Sequence, residues 1–302
     1  MSSLESIQTP TALATATQPS SQQIAMTLCA ISYAPFGDVT PYLGNSDYDA
    51  SAWTLSWGPA SSSTNMVYGA WSETLNGYAL VVRGANPCDV REIFDVGSQV
   101  TWQYPATSGA SISTGANDAL NDVLGLQAAD GSTLLDWISN VVLPTSPTAA
   151  LWVTGHSLGG LIASMLAPYL YNWLAEQNVA QALHVYTFAA PTAGDAAFGA
   201  LAAQAGSINN RVYNDLDVVP LAFGNLQGME TIYQPTYSWP DFLRDWVKKT
   251  IALMGSYTYV QPPTVDYSLA GSSMGSDYVS EALDQHNHNT YLQLLGAPIL
   301  PF

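Results

Sequence analysis

Gly155-His156-Ser157-Leu158-Gly159 sets a serine between an apolar, β-prone run, Ala149 to Val153, and a segment with helical periodicity that opens at Leu158. A serine at such a strand-to-helix turn is a candidate nucleophile. The glycines fit that reading, because the bend forces unusual dihedrals on the serine and a side chain two residues to either side would collide with crossing backbone. Gly271-Ser272-Ser273-Met274-Gly275 has the same spacing. It follows Pro262, Pro263 and a polar stretch, with no buried strand entering and no apolar helix leaving, so Ser273 reads as part of a loop.

A hydroxyl attacks a carbonyl only when a base takes its proton, and a buried acid must hold that base in the right tautomer. Four histidines are available. His156 neighbours Ser157 in sequence, where adjacent side chains diverge, and His184 begins a strand. His286 and His288 stand before a helical stretch, Asn289 to Leu295, in a loop able to carry a ring over a sheet edge. For the acid, Asp215 and Asp217 in Asn214-Asp215-Leu216-Asp217 both follow a strand, where open α/β sheets gather functional groups. The oxyanion formed by attack needs two fixed donors. One is the amide of Leu158 at the helix start, and the other is the amide of Ala85, where the run Tyr78 to Arg83 ends. This chemistry requires no cofactor and no metal.

The elements around these residues read as follows. Gln22 to Tyr33 has helical spacing, and Ala52 to Trp57, Asn65 to Trp71 and Tyr78 to Val82 are short β-prone runs. Asn117 to Gln127 and Ser132 to Val142 are two helices broken at Asp130-Gly131. After the turn serine come a helix over Leu158 to Gln177, a strand over His184 to Ala189, a helix over Asp195 to Ala205 and a strand from Asn210 to Tyr213. Strands alternating with helices imply an α/β fold, a mostly parallel central sheet covered by helices on both faces. Residues 221–285 read as a cap-like insertion of aromatic and proline-rich loops around one amphipathic helix, Pro240 to Met254. Packing on the core is the expected role of its Phe242, Trp246 and Ile251.

The chain has 302 residues, 48% of them hydrophobic, enough for a single domain over residues 22–302. Residues 1–21, rich in Ser, Thr, Gln and Pro, read as a mobile tail. The net charge of −17 makes nucleic acid and anionic membrane surfaces poor partners. No run approaches the roughly 18 to 20 apolar residues that cross a bilayer, so no transmembrane segment is expected. Cys29 and Cys88 do not make a disulfide framework. The compartment stays open, with secretion compatible with a surface-acting enzyme.

Four motifs together resemble the class 3 lipases, the family of fungal triacylglycerol lipases and their relatives. Val82-Arg83-Gly84 resembles the family's oxyanion strand, and Gly155 to Gly160, GHSLGG, its nucleophile elbow. Phe188 to Phe198, FAAPTAGDAAF, and Arg211 to Pro220, RVYNDLDVVP, resemble two later segments, so that the resemblance spans about residues 65–292. It implies an α/β-hydrolase fold and a Ser-Asp-His triad in that chain order. It selects Asp217 as the acid and favours His286, five residues before Tyr291, over the alternative base His288, three before it. The implied activity is carboxylic ester hydrolysis through an acyl-enzyme, on triacylglycerol, with feruloyl, short-chain or phospholipid acyl esters as alternatives and an inactive lipid-binding protein as the rival class. A small-molecule or lipid ester is the implied partner, at a lipid–water interface if the lid is functional. Ala85 departs from the family's Ser or Thr, and Thr192-Ala193 from its Arg-Val. The family lid corresponds to about residues 86–110, where Cys88, Ile93, Phe94, Val96 and Trp102 would form an apolar face or an ordinary buried loop.

Overall fold

The computed structural model describes residues 18–84, 99–145 and 148–302. The first helix, α1 (Ser21–Ile31), is started by Ser20, whose side chain accepts the Gln23 N–H while the Gln23 side chain accepts the Ser20 N–H. It therefore begins at the end of the stretch expected as a tail; residues 1–17 of that stretch lie outside the described residues. Strands β1 (Thr54–Ser61), β2 (Met66–Ser72) and β3 (Gly77–Val82) form an antiparallel meander. A two-stranded ribbon, β4 (Gln99–Thr101) and β5 (Ser111–Ser113), leads into α2 (Thr114–Gly125). Then α3 (Leu134–Trp137) runs through a π turn, Ile138–Val142, into α4 (Leu143–Thr145).

From there strands and helices alternate: β6 (Ala150–His156), α5 (Leu158–Glu176), β7 (Leu183–Phe188), α6 (Ala196–Gln204) and β8 (Ile208–Asn214). Helices α7 (Leu226–Thr231) and α8 (Asp241–Met254) precede β9 (Val265–Leu269), and α9 (Tyr278–His286) and α10 (His288–Leu295) follow it. The seven-stranded sheet has the order β1-β2-β3-β6-β7-β8-β9, parallel from β3 onward.

Alternation along the central strands divides the core in two. Leu80, Val82, Leu151 and Val153 face one side, packed with Leu161, Ile162, Leu166 and Leu170 of α5 and with Leu120 of α2. Ala79, Val81 and Trp152 face the other, with Leu28 and Ile31 of α1 and Leu292 of α10. Both faces of the sheet are thus covered, as expected for strands that read as continuous apolar runs.

Two expectations change. Residues 221–285 are more than loops around a helix: β9 extends the main sheet beside β8, and α9 supplies the wall that ends at His286. Within the expected lid, residues 86–98, with Cys88, Ile93, Phe94 and Val96, lie outside the described residues, but Trp102 and Ala110 are buried in the core. Trp102 packs edge-on against Phe198 at 5.1 Å, which is the buried-loop alternative for that part. Among the described residues Cys29 has no disulfide partner; its buried thiol bonds the Thr154 hydroxyl, and burial pushes it up to about 12. Among the described residues no helix is long and apolar enough to cross a membrane.

Candidate active site

Strand β6 ends at His156 and α5 starts at Leu158, leaving Ser157 alone to turn the chain. Its φ of 62° and ψ of −128° fall where residues with a Cβ rarely sit, a strain of order 1–3 kcal/mol that the surroundings must hold. They do so through the main chain: the Ser157 N–H donates to the Phe188 carbonyl at the end of β7 (2.9 Å). Close approach explains the two glycines. A Cβ at Gly155 would run into the Gly159 carbonyl, and one at Gly159 into the Val82 carbonyl of β3.

Asp217 hangs from the turn after β8. Its Oδ1 accepts the Val219 N–H (2.9 Å), and its Oδ2 accepts the Tyr291 hydroxyl (2.8 Å). The same Oδ2 lies 2.8 Å from Nδ1 of His286, and Nε2 of His286 lies 2.7 Å from Oγ of Ser157. The Asp217 side chain is fully buried, so its charge acts on the imidazole without a competing water shell.

Asn214, the last residue of β8, ties the segment of Asp217 to that of His286. Its side-chain amide donates to the main-chain and side-chain oxygens of Gln285, beside His286, and its Oδ1 accepts the Leu216 N–H. Its own N–H donates to the Tyr291 hydroxyl, which then donates to Asp217. Spacing along the chain carried no sign of this link, nor of the one behind Ser157. There the Tyr33 hydroxyl and Nδ1 of His156 share a hydrogen bond (2.9 Å), and Nε2 of His156 is buried with no hydrogen-bond partner among the described residues. The His156 ring lies 4.9 Å from that of His286, with the edge of Tyr291 5.3 Å away.

The remaining candidates sit elsewhere. His288 stacks on Tyr33 at 4.9 Å and its Nε2 is 3.0 Å from the Phe302 carbonyl oxygen. His286 and His288 do not share a loop; they close α9 and open α10, with Asn287 between them. Asp215 accepts the Gly271 N–H and fastens the end of β9. Ser273 belongs to a loop wrapped on Glu281, whose Oε2 takes its hydroxyl and the Met274 and Gly275 N–H groups. Leu158 opens α5, so its amide is among the helix N-terminal donors without an intrahelical acceptor. Ala85 lies outside the described residues.

Burial first, then the neighbouring His286 and His288, holds His156 well below the ordinary histidine range; burial likewise lowers His288. The unfolded chain takes protons on these two rings as the pH falls below about 6.5 while the folded chain does not, so stability is full above that value and declines below it. Each ring contributes up to about 1.4 kcal/mol per pH unit in that window. Urea midpoints measured between about pH 7.5 and 5.5 should therefore fall on the acid side, and a level profile would contradict the placement of the two rings.

Sheet order, strained turn and the buried acid–imidazole–hydroxyl line are those of an α/β-hydrolase. Residues 80–226 match the family described as Lipase (class 3), and the chain is similar to lipases of that family. A lipase from Rhizomucor miehei is 30% identical over 167 residues, a match covering 50% of this chain and 43% of that protein's length. Among solved structures, M37 lipase superposes with a TM-score of 0.79 at 24% identity, covering 91% of this chain and 92% of its own. A triacylglycerol lipase whose catalytic centre is a serine protease triad superposes at 0.53 with 21% identity, over 66% of this chain and 72% of its own.

Proposed function

We propose that this chain hydrolyses carboxylic esters of lipids, most directly triacylglycerol, with Ser157 as nucleophile, His286 as base and Asp217 as the acid that orients it. The observation that carries this reading is the unbroken line from Oδ2 of Asp217 through both ring nitrogens of His286 to Oγ of Ser157, with steps of 2.8 and 2.7 Å. Asp217 accepts the proton on Nδ1, so Nε2 offers a lone pair to the Ser157 hydroxyl. Oγ attacks the acyl carbonyl as its proton passes to Nε2. The resulting oxyanion is held by the Leu158 amide and, as second donor, the Ala85 amide. Collapse releases the alcohol, which takes the proton from Nε2, and leaves an acyl ester on Ser157. Water then repeats the sequence and frees the acid. Because the groups come from the ends of β6, β8 and α9, residues 22–302 act as one catalytic unit.

The experiment is active-site titration. A fluorophosphonate should label the protein once, with the adduct on the peptide holding Ser157, and abolish turnover of p-nitrophenyl butyrate in proportion. Labelling at Ser273, or turnover that survives full labelling, would overturn the reading, and no labelling at all would favour an inactive lipid-binding protein.

A further inference from the structure

Helix α8 stands apart from the rest of the surface. It is amphipathic, yet only Thr250 is fully buried; Leu243, Trp246, Val247 and Met254 are half-covered. Phe242 and Ile251, expected to pack on the core, are instead 62% and 55% exposed, and Leu253 is 57% exposed. At 100° per residue Phe242 and Leu253 fall within about 20° of each other along one edge of the exposed face. Lys249 lies next to that edge and Lys248 further round.

The charge distribution is as uneven. The chain has only six Lys and Arg residues, and Arg244, Lys248 and Lys249 are three of them, including both lysines. Arg244 pairs with Asp241 at 2.9 Å, but neither lysine has a carboxylate partner among the described residues. A protein of net charge −17 thus gathers both of its lysines beside an exposed apolar edge, with one exposed carboxylate, Asp245, three and four residues before them. Long-range charge is screened within about 8–10 Å in ordinary salt, so the sign of this face, rather than the net charge, decides what can approach it.

Its placement matters too. The covered side of α8 rests on a cluster containing Val218 and Val219, which directly follow Asp217, and Tyr278 and Ala282 of α9, which ends at His286. The helix thus shares one apolar cluster with the segments that lead to Asp217 and His286, with Trp246 edge-on to Phe223 of that cluster.

We infer that α8 is the docking element for the ester substrate's own surface, a lipid droplet carrying fatty-acid carboxylates, with Phe242 and Leu253 entering the acyl layer and Lys248 and Lys249 engaging the carboxylates. This inference rests on the proposed ester hydrolysis, which would generate those carboxylates at the surface. Apolar side chains flanked by lysines, whose stems lie on the apolar layer while the ammonium groups stay wet, are the general pattern of interfacial helices. The carboxylates supply the charge complementarity, and the acidic remainder of the protein is repelled, so the molecule settles with α8 downward.

Adsorption is read by flotation with triolein droplets, bare or doped with oleate, in a Ser157→Ala background so that no new acid forms during the measurement. Phe242→Ser/Leu253→Ser should lower partitioning at least tenfold on both surfaces. Lys248→Gln/Lys249→Gln should lower it by about 25-fold on oleate-doped droplets and little on bare ones, at roughly fivefold per lysine. In the background with Ser157 intact, both double variants should hydrolyse p-nitrophenyl butyrate like the parent, since none of the four residues takes part in the hydrogen bonds of Ser157, His286 or Asp217. Adsorption of either variant equal to the parent's on doped droplets overturns the inference. So does a parent dimer that becomes monomeric in the serine variant, which would assign the face to a second copy of the chain. A parent that adsorbs but fails to turn over the soluble ester overturns the proposed function instead, so the two failures are told apart.

Discussion

Turnover of a soluble ester by His286→Ala falls by a factor on the order of 10⁶, the cost of losing the base from a unit whose members act together. The same change at His288 leaves kcat within about tenfold, because its ring bonds the Phe302 carbonyl and stacks on Tyr33 rather than meeting the hydroxyl. His156 does not substitute for the missing ring. Its Nδ1 is engaged by the Tyr33 hydroxyl, and its buried ring makes no hydrogen bond to Oγ of Ser157. Thermal melts should show His288→Ala losing about 1–2 kcal/mol through its buried ring. Activity retained by His286→Ala and lost by His288→Ala would reassign the base.

Asp217→Asn should cost about 10⁴ in kcat, with KM little changed. The structure dictates why. The Val219 N–H fixes the oxygen of the new amide at the Oδ1 position, so its NH₂ group must face His286 and Tyr291. A donor facing Nδ1 forces the imidazole proton onto Nε2, where it points at Ser157 and blocks proton removal. Tyr291→Phe removes one donor to the carboxylate but leaves the tautomer correct, and should cost no more than about tenfold. An Asp217→Asn enzyme within tenfold of the parent would show that this carboxylate does not set the tautomer.

Ser157 could be read from the chain because its elbow is encoded locally: an apolar strand, glycines where backbones cross, and a helix at once. The parallel sheet was legible for the same reason, since its central strands are uninterrupted apolar runs. Strand β9 was not. It is an edge strand with Val265, Asp266, Tyr267 and Ser268 all exposed, so no buried face writes a period of two into it. Helix α9 was missed because two of its three buried residues, Glu281 and Gln285, are polar and held by hydrogen bonds rather than by an apolar stripe. Tyr33 and His156 are 123 positions apart, and Asn214 and Gln285 71; such pairs leave no mark in local spacing. Residue types narrowed the acid and the base to two candidates each, and the family pattern preferred one of each.

The clamp from Asn214 to Gln285 has an evolutionary corollary. Asp217 and His286 are 69 positions apart, yet both are pinned to one strand end, so their mutual geometry is insulated from what lies between them in the chain. Provided β9 still docks and α9 still ends on that amide, the intervening surface is free to be lengthened, shortened or recharged. Lineages sharing this scaffold can therefore diversify where they work without re-evolving how they react.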